Sequence, residues 1–234
     1  MLSIVIPTLN EEKYLPLLLE SIKKQDFLDY EIIIADAGSK DSTLQIAKKY
    51  NCEITTGGLP AKGRNEGAKV AKGDFLFFLD ADTILPDNFL AKWLEEFGLR
   101  KLDIASFCFD TQDKKKGFQM MIDFYNEIAI LLEETRPFSI IGVLVKKEVF
   151  EKLKGYDETI KLSEDTDLGR RAIKFAQFGI LRAGKIFISD RRFVKDGWMT
   201  TTTKYILSEL HTLFIGPIKS DIFNYKFDHY DDKK

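Results

Sequence analysis

Phe75-Leu76-Phe77-Phe78-Leu79-Asp80-Ala81-Asp82 passes from a wholly apolar run into two carboxylates with one residue between them. An apolar run without polar alternation reads as a central strand covered on both faces, so the acids leave its carboxyl end. Pro86 and Asp87 then open a helix whose inner face is Phe89, Leu90, Trp93, Leu94 and Phe97. Open α/β sheets bind ligands in the crevice beyond the carboxyl ends of their strands, which makes Asp80-Ala81-Asp82 a candidate ligand site.

Working outward, Ser3 to Pro7, Glu31 to Ala35, Glu53 to Thr56 and Ile104 to Phe109 are further β-branched or aromatic runs separated by helical patterns. This is a βαβα rhythm. Leu15, Leu18, Leu19 and Ile22 recur at i, i+3, i+4, i+7 and predict a helix, with Asn10 as its cap and Glu11 and Glu12 at its positive end. Past Phe109 the pattern predicts a basic loop over Asp113 to Gly117, a helix over Phe118 to Leu132, a strand over Ser139 to Val145 and a helix from about Glu164 to Phe178. There is no internal repeat or linker. Residues 1–110 and 111–218 read as two halves of one domain, with 219–234 a fraying tail.

The 234 residues carry 35 Lys and Arg against 37 Asp and Glu, a formal charge of −2, with 44% apolar side chains. That composition is globular, and near-neutral charge argues against a nucleic-acid partner. Every run without a charge falls far short of the ~18 apolar residues that a membrane-spanning helix needs. Met1 to Pro7 has neither a basic region nor a small-residue cleavage site, so it reads as a first strand and a cytoplasmic location is expected. Cys52 and Cys108 lie far apart and read as buried free thiols. With His211 and His229 the only histidines, a divalent ion would rest on carboxylates, which suits Mg²⁺ or Mn²⁺.

Four polar stretches converge on the predicted crevice: Pro7-Thr8-Leu9-Asn10-Glu11, Asp36-Ala37-Gly38-Ser39, Lys62 to Gly67, and Asp80-Ala81-Asp82. Each also has an ordinary reading. Asp-x-Asp serves a solvated turn, Asp-x-Gly-Ser bends a chain, and Lys62 suits a solvated helix surface. In the functional reading, Asp36 accepts hydrogen bonds from a nucleobase or ribose and Gly38 lets backbone approach it, while Arg64, favoured over Lys62, meets a diphosphate. Gly58 to Arg64 has a passing likeness to a phosphate-binding loop, but Arg64 and Asn65 stand where Lys and Ser or Thr belong, which excludes an ATPase.

Ile6-Pro7-Thr8-Leu9-Asn10-Glu11-Glu12, Asp36-Ala37-Gly38-Ser39-Lys40-Asp41-Ser42-Thr43, Gly63-Arg64-Asn65-Glu66-Gly67, Phe78-Leu79-Asp80-Ala81-Asp82, Gly155-Tyr156-Asp157 and Ser163-Glu164-Asp165 follow one another in order. Together they resemble the glycosyltransferases of family 2 over roughly residues 1 to 195. The resemblance implies a GT-A fold, a Rossmann-like mixed sheet flanked by helices, whose first half binds a nucleotide-sugar donor and whose second half holds the acceptor and the catalytic base. It implies donor contacts from Pro7, Thr8, Asn10, Glu11, Asp36, Lys62, Arg64, Asp80, Ala81 and Asp82. Within that set Asp36 meets the base, Asp80 the ribose region, and Asp82, with Asp80 beside it, a divalent metal on the diphosphate. Gly155, Tyr156 and Glu164 are expected at the acceptor.

The resemblance also implies that Asp165 is the general base of an inverting single displacement. Spacing alone does not choose among Glu164, Asp165 and Asp167, since acidic residues stabilise any helix N-terminus. Arg191 and Arg192 are candidates for the diphosphate, with a solvated basic patch as an equally weighted reading. Trp198, Tyr205, Ile206, Leu210, Leu213 and Phe214 read as a core-packed helix in preference to a membrane-surface anchor, with His211 a core residue; a lipid-linked acceptor and peripheral membrane contact stay open. Ile84 stands where the similar dolichol-phosphate sugar synthases carry Gln, so that activity is not assigned, and the third metal ligand usual in the family has no counterpart. The rival from another class is a non-catalytic nucleotide-sugar sensor or adaptor. A nucleotidyltransferase ranks last, for want of a Gly-rich basic loop near the first strand.

Overall fold

A computed structural model of the chain describes residues 1–111, 116–137 and 141–223. The first half runs β1 (Leu2–Thr8), α1 (Leu15–Lys23), β2 (Tyr30–Asp36), α2 (Thr43–Lys49), β3 (Glu53–Thr56), α3 (Pro60–Val70), β4 (Phe75–Phe78), β5 (Thr83–Ile84) and α4 (Leu90–Leu99). The rest runs β6 (Ile104–Thr111), α5 (Lys116–Leu132), β7 (Val143–Lys146), α6 (Lys147–Lys152), α7 (Glu164–Ala172), β8 (Phe178–Ile188), α8 (Arg191–Asp196) and α9 (Trp198–Phe214). The strands form an eight-stranded sheet in the order β3-β2-β1-β4-β7-β6-β8-β5. β1 is parallel to β2 and β4, whereas β7 is antiparallel to both β4 and β6. The sheet is therefore mixed and flanked by helices, as expected of a GT-A, Rossmann-like fold.

The period of two along the central strands divides the core. Ile4, Ile6 and Phe77 face α1 and α4, packing with Leu18, Ile22, Trp93 and Phe97. Val5, Leu76 and Phe78 face the opposite layer with Ala61, Ala68, Phe150 and Leu168. Burying each of the larger side chains stabilises the fold by ~1.5–3 kcal/mol. α3 lies close against β1: a Cβ at Gly67 would stand 2.2 Å from Val5 Cγ1, and one at Gly63 3.0 Å from Pro7 Cβ. These glycines let the helix approach the strand, and that approach sets where Arg64 enters the crevice.

Several local expectations are corrected. α1 starts at Leu15 after Tyr14, and Asn10, with φ 56°, lies outside the helix, as do Glu11 and Glu12. α4 starts at Leu90, and its free N–H groups are capped from α1's end of the chain, where Gln25 Oε1 accepts from Phe89 N at 3.0 Å and Leu90 N at 2.9 Å. The helix from Glu164 stops at Ala172, and Phe178 begins β8, which pairs in parallel with β6 and antiparallel with β5. No local pattern announces those partners, because Phe178 pairs with Ile104. The strand predicted over Ser139 to Val145 is observed as Val143–Lys146, with 138–140 outside the described residues. Of the predicted basic loop, 112–115 lie outside them and Lys116 already belongs to α5.

α9 reverses the expected packing. It turns Thr201, Ser208 and Thr212 inward and leaves Met199, Ile206, Leu207, Leu210 and Phe214 exposed. Two of these hydroxyls are satisfied within the helix, Ser208 donating to Tyr205 O at 2.8 Å and Thr212 to Ser208 O at 2.7 Å, which lets that polar face be buried. The Trp198 side chain lies outside those described. His211 is half-buried, its Nδ1 3.1 Å from Gly216 O, and so serves the end of α9. Cys52 and Cys108 are free, as expected, but only Cys108 is buried; Cys52 is half-buried. Among the described residues no helix is long and apolar enough to cross a membrane, and 224–234 of the predicted tail lie outside them.

Candidate active site

The ends of β1 and β2 interlock. Thr8 stands opposite Asp36 in the parallel register, and its hydroxyl donates to Asp36 Oδ1 at 3.1 Å. Asp36 also accepts from Gly38 N at 2.9 Å, Ser39 N at 2.8 Å and the Ser39 hydroxyl at 2.5 Å. Asn10 N donates to Ser39 Oγ at 2.9 Å and Asn10 Oδ1 accepts from Lys40 N at 2.8 Å. Thus Pro7, Thr8, Asn10 and Asp36 share one wall, with Gly38 at φ 94° making its turn. Asp36 is buried and is itself the organiser of that turn, so the turn-forming reading of Asp-x-Gly-Ser holds.

The stretch Lys62 to Gly67, expected at a strand end, lies inside α3. Lys62 is exposed on it, whereas Arg64 points inward with a side chain only 5% exposed. Arg64 Nη2 donates to Asp80 Oδ1 at 2.7 Å and Nη1 to Glu164 Oε1 at 2.5 Å, while Nη2 lies 3.4 Å from Asp165 Oδ2. One guanidinium therefore joins Asp80, after β4, to the acids at the start of α7. Burial disfavours the charge of Arg64, but Asp165, Asp80 and Glu164 outweigh it and raise its pKa well above the ordinary value. Asp165 is pushed up to about 7 by burial, assisted by Glu164 and Asp80 and opposed by Arg64 and by the hydrogen bond from Tyr156. Ser163 immediately before this pair is left-handed, φ 64°, a strain that aims the start of α7 into the crevice.

Ala81 is buried in the core, between acids that turn outward on either side. Asp82 Oδ2 lies 3.0 Å from Arg191 Nε, and the two terminal nitrogens of Arg191 donate to Glu11 at 3.0 and 2.9 Å. The Arg191 guanidinium also rests over the Tyr14 ring at 4.6 Å. Burial pushes Glu11 up to about 7; Arg191 opposes the rise and Asp82 and Asp80 add to it. Arg192 lies in α8, and its side chain is outside those described. Glu11, Asp82 and Arg191, each expected at the donor, thus meet, although their direct pairing across 180 positions was not part of the expectation.

Gly155 and Tyr156, expected at the acceptor, are instead buried: Tyr156 is 3% exposed and packs edge-on to Phe78 at 5.3 Å. Their place is beneath the crevice, where the Tyr156 hydroxyl donates to Asp165 Oδ1 at 2.9 Å. Glu164 is held by Arg64 at the crevice floor, its side chain 12% exposed.

Among the described residues no three His, Cys, Asp or Glu side chains are grouped to hold a metal ion. Asp82 and Asp80 nonetheless offer hard carboxylate oxygens. Small divalent cations are commonly held by one or two carboxylates with water and substrate phosphate completing the shell, and this pair fits that shared mode but not an all-protein cage.

Comparison with known proteins places the chain by family and by fold. A poly(ribitol-phosphate) beta-N-acetylglucosaminyltransferase of Staphylococcus aureus, TarS, is 41% identical over 90 residues, 34% of this chain and 16% of that protein. An uncharacterized glycosyltransferase of Haemophilus influenzae is 29% identical over 177 residues, 71% of this chain and 60% of its own length. The chain therefore spans less than two thirds of either relative. Among solved structures, S. aureus TarS 1-349 in complex with UDP superposes with a TM-score of 0.68 at 21% identity, covering 92% of this chain and 72% of that one. The mannosyltransferase PcManGT from Pyrobaculum calidifontis, in complex with GDP-Man and Mn²⁺, gives 0.73 at 17% identity, covering 91% and 63%. These likenesses are of fold. The family model for glycosyl transferase family 2 matches residues 3–154, more than half the chain and the part that contains Asp36, Arg64, Asp80 and Asp82, so the chain belongs to that family.

Proposed function

We propose that the protein transfers a sugar from a nucleoside-diphosphate donor, UDP or GDP linked, to an acceptor hydroxyl with inversion at the anomeric carbon. The observation that carries this reading is the Arg64 cluster, in which one buried side chain holds Asp80 of Asp-x-Asp together with Glu164 and Asp165. UDP in one structural neighbour and GDP-Man with Mn²⁺ in another support the donor class. In this reading the β1 and β2 wall around Asp36 receives the nucleobase and Asp80 the ribose region. Asp82, with Asp80, would hold Mg²⁺ or Mn²⁺, which when bound neutralises charge on the departing diphosphate.

Asp165 accepts the proton of the acceptor hydroxyl. The freed oxygen pair forms the new bond to the anomeric carbon as the bond from that carbon to the diphosphate oxygen breaks, and its electron pair leaves with the nucleoside diphosphate. Attack opposite the leaving group inverts the centre. A carboxylate with a pKa lifted toward neutrality is a stronger base than an ordinary one, and its ionised fraction grows as pH rises through that value. Arg191 and Arg192 add positive charge beside the diphosphate.

A thermal-shift series with UDP, GDP, UDP-GlcNAc and GDP-mannose, each with Mn²⁺, tests the donor site, because a ligand that binds only the native state raises the midpoint. A shift with one nucleotide class followed by slow release of its nucleoside diphosphate is expected. No shift with any of them would overturn the reading, and a shift with no release would favour the sensor.

A further inference from the structure

Tyr156 is immobilised from every side. Its ring lies against Phe78 and Phe150, with centroids 5.3 and 5.7 Å away, and the Arg64 guanidinium sits over it at 5.4 Å. Its backbone is gripped by the next residue of the same helix: Tyr156 N donates to Asn65 Oδ1 at 2.9 Å and Asn65 Nδ2 donates to Tyr156 O at 3.0 Å. The preceding Gly155 has φ 71°, and a Cβ there would stand 2.5 Å from Asn65 Oδ1, so the grip requires glycine. Held in this way, the hydroxyl has one direction in which to donate, and it donates to Asp165 Oδ1 at 2.9 Å.

We propose that Tyr156 is a positioning residue for Asp165, with Arg64 and Asn65 of α3 setting the carboxylate and the phenol that holds it. This deepens the reading of Asp165 as the base and rests on it. Tyr156 occupies Oδ1 and orients the carboxylate plane, while Oδ2 lies toward Arg64 at the longer distance of 3.4 Å and is the oxygen that takes the acceptor proton. The charged and titratable groups facing Asp165 are Arg64 from α3, Asp80 after β4, its neighbour Glu164 in α7, and Tyr156 itself. A phenol that donates to the ionised carboxylate favours that form, so its loss moves the protonation of Asp165 to higher pH.

The experiment compares Tyr156→Phe and Asp165→Asn with the wild type in acceptor-free hydrolysis of UDP-GlcNAc or GDP-mannose, whichever donor shifts the melting point. Tyr156→Phe keeps the ring and is expected to lower kcat about tenfold with donor KM unchanged, and to move the acidic limb of the kcat profile upward. Asp165→Asn is expected to be inactive. An inactive Asp165→Asn beside a Tyr156→Phe that matches the wild type in kcat and pH profile overturns the role of Tyr156 alone; a fully active Asp165→Asn overturns the base and Tyr156 with it. A measurement on the wild type stands if Tyr156→Phe does not fold. With ¹³C at Asp Cγ and Tyr Cζ, one carboxyl and one phenol signal should titrate with the same midpoint, because the phenol donates to that carboxylate, the carboxyl being identified by its loss in Asp165→Asn. The absence of such a joint titration overturns the proposal.

Discussion

Arg191 reaches back across 180 residues of chain to hold Glu11 with both terminal nitrogens, at 3.0 and 2.9 Å, while its Nε lies 3.0 Å from Asp82. The arginine therefore contacts the carboxylate proposed to hold the divalent ion. Replacing Arg191 with Ala removes a competitor for Asp82 and the partner proposed for the diphosphate. Titration calorimetry should show Mn²⁺ binding more tightly without nucleotide and nucleoside diphosphate binding about tenfold more weakly, since charge-assisted pairs are worth ~1.5–3 kcal/mol. Unchanged affinity for both would count against this arrangement.

Arg64 is a buried cation shared by three carboxylates. Arg64→Ala leaves Glu164 and Asp165 buried without their cation, for which ~3–5 kcal/mol of destabilisation is expected in urea unfolding. Arg64→Lys should recover only part of this, because a point charge cannot reproduce the planar fork that spans Asp80 and Glu164.

The pH dependence has a definite sign. Asp165 is pushed up to about 7, so donor hydrolysis should fall as pH drops through that value and the base takes up a proton. Stability runs the other way. Raised folded-state pKa values at Asp165 and Glu11 favour the protonated native state, a contribution fully present below pH ~4 and lost as pH rises through about 7. Read as the difference in melting temperature between the wild type and Asp165→Asn, the Asp165 part should decline toward neutrality across that window.

Gly67→Ala tests the contact of α3 with β1. The new methyl would meet Val5 Cγ1 at 2.2 Å, so the helix must shift, with a loss of ~1–3 kcal/mol as for other overpacked cores. Because Arg64 lies one turn earlier on α3, hydrolysis should fall along with the melting temperature. A protein with wild-type stability would mean that β1 yields at no cost.

Strand and helix identity in the first half was legible because it is local. The apolar run Phe75 to Leu79, the repeat of Leu15, Leu18, Leu19 and Ile22, and the acids following β4 each announce themselves within a few residues. Where local pattern misled, a distant partner decided: β8 exists because Phe178 finds Ile104, and α4 is capped by Gln25. α9 could turn its hydroxyls inward because they bond within the helix, which an apolar count along the sequence does not register.

By itself the sequence determined the fold class, the family resemblance and the set of acids at the strand ends, because strand period and turn chemistry are properties of neighbours along the chain. Only the tertiary structure decided which side chains neutralise one another. It brought Arg64 to Asp165 and Arg191 to Asp82, and it buried Tyr156, expected at the acceptor, against Asp165. The reason is physical: Coulombic and hydrogen-bond partnerships depend on distance in space, which folding sets through the packing of α3 on β1 and the return of α8 over the sheet edge, and which separation in sequence leaves open.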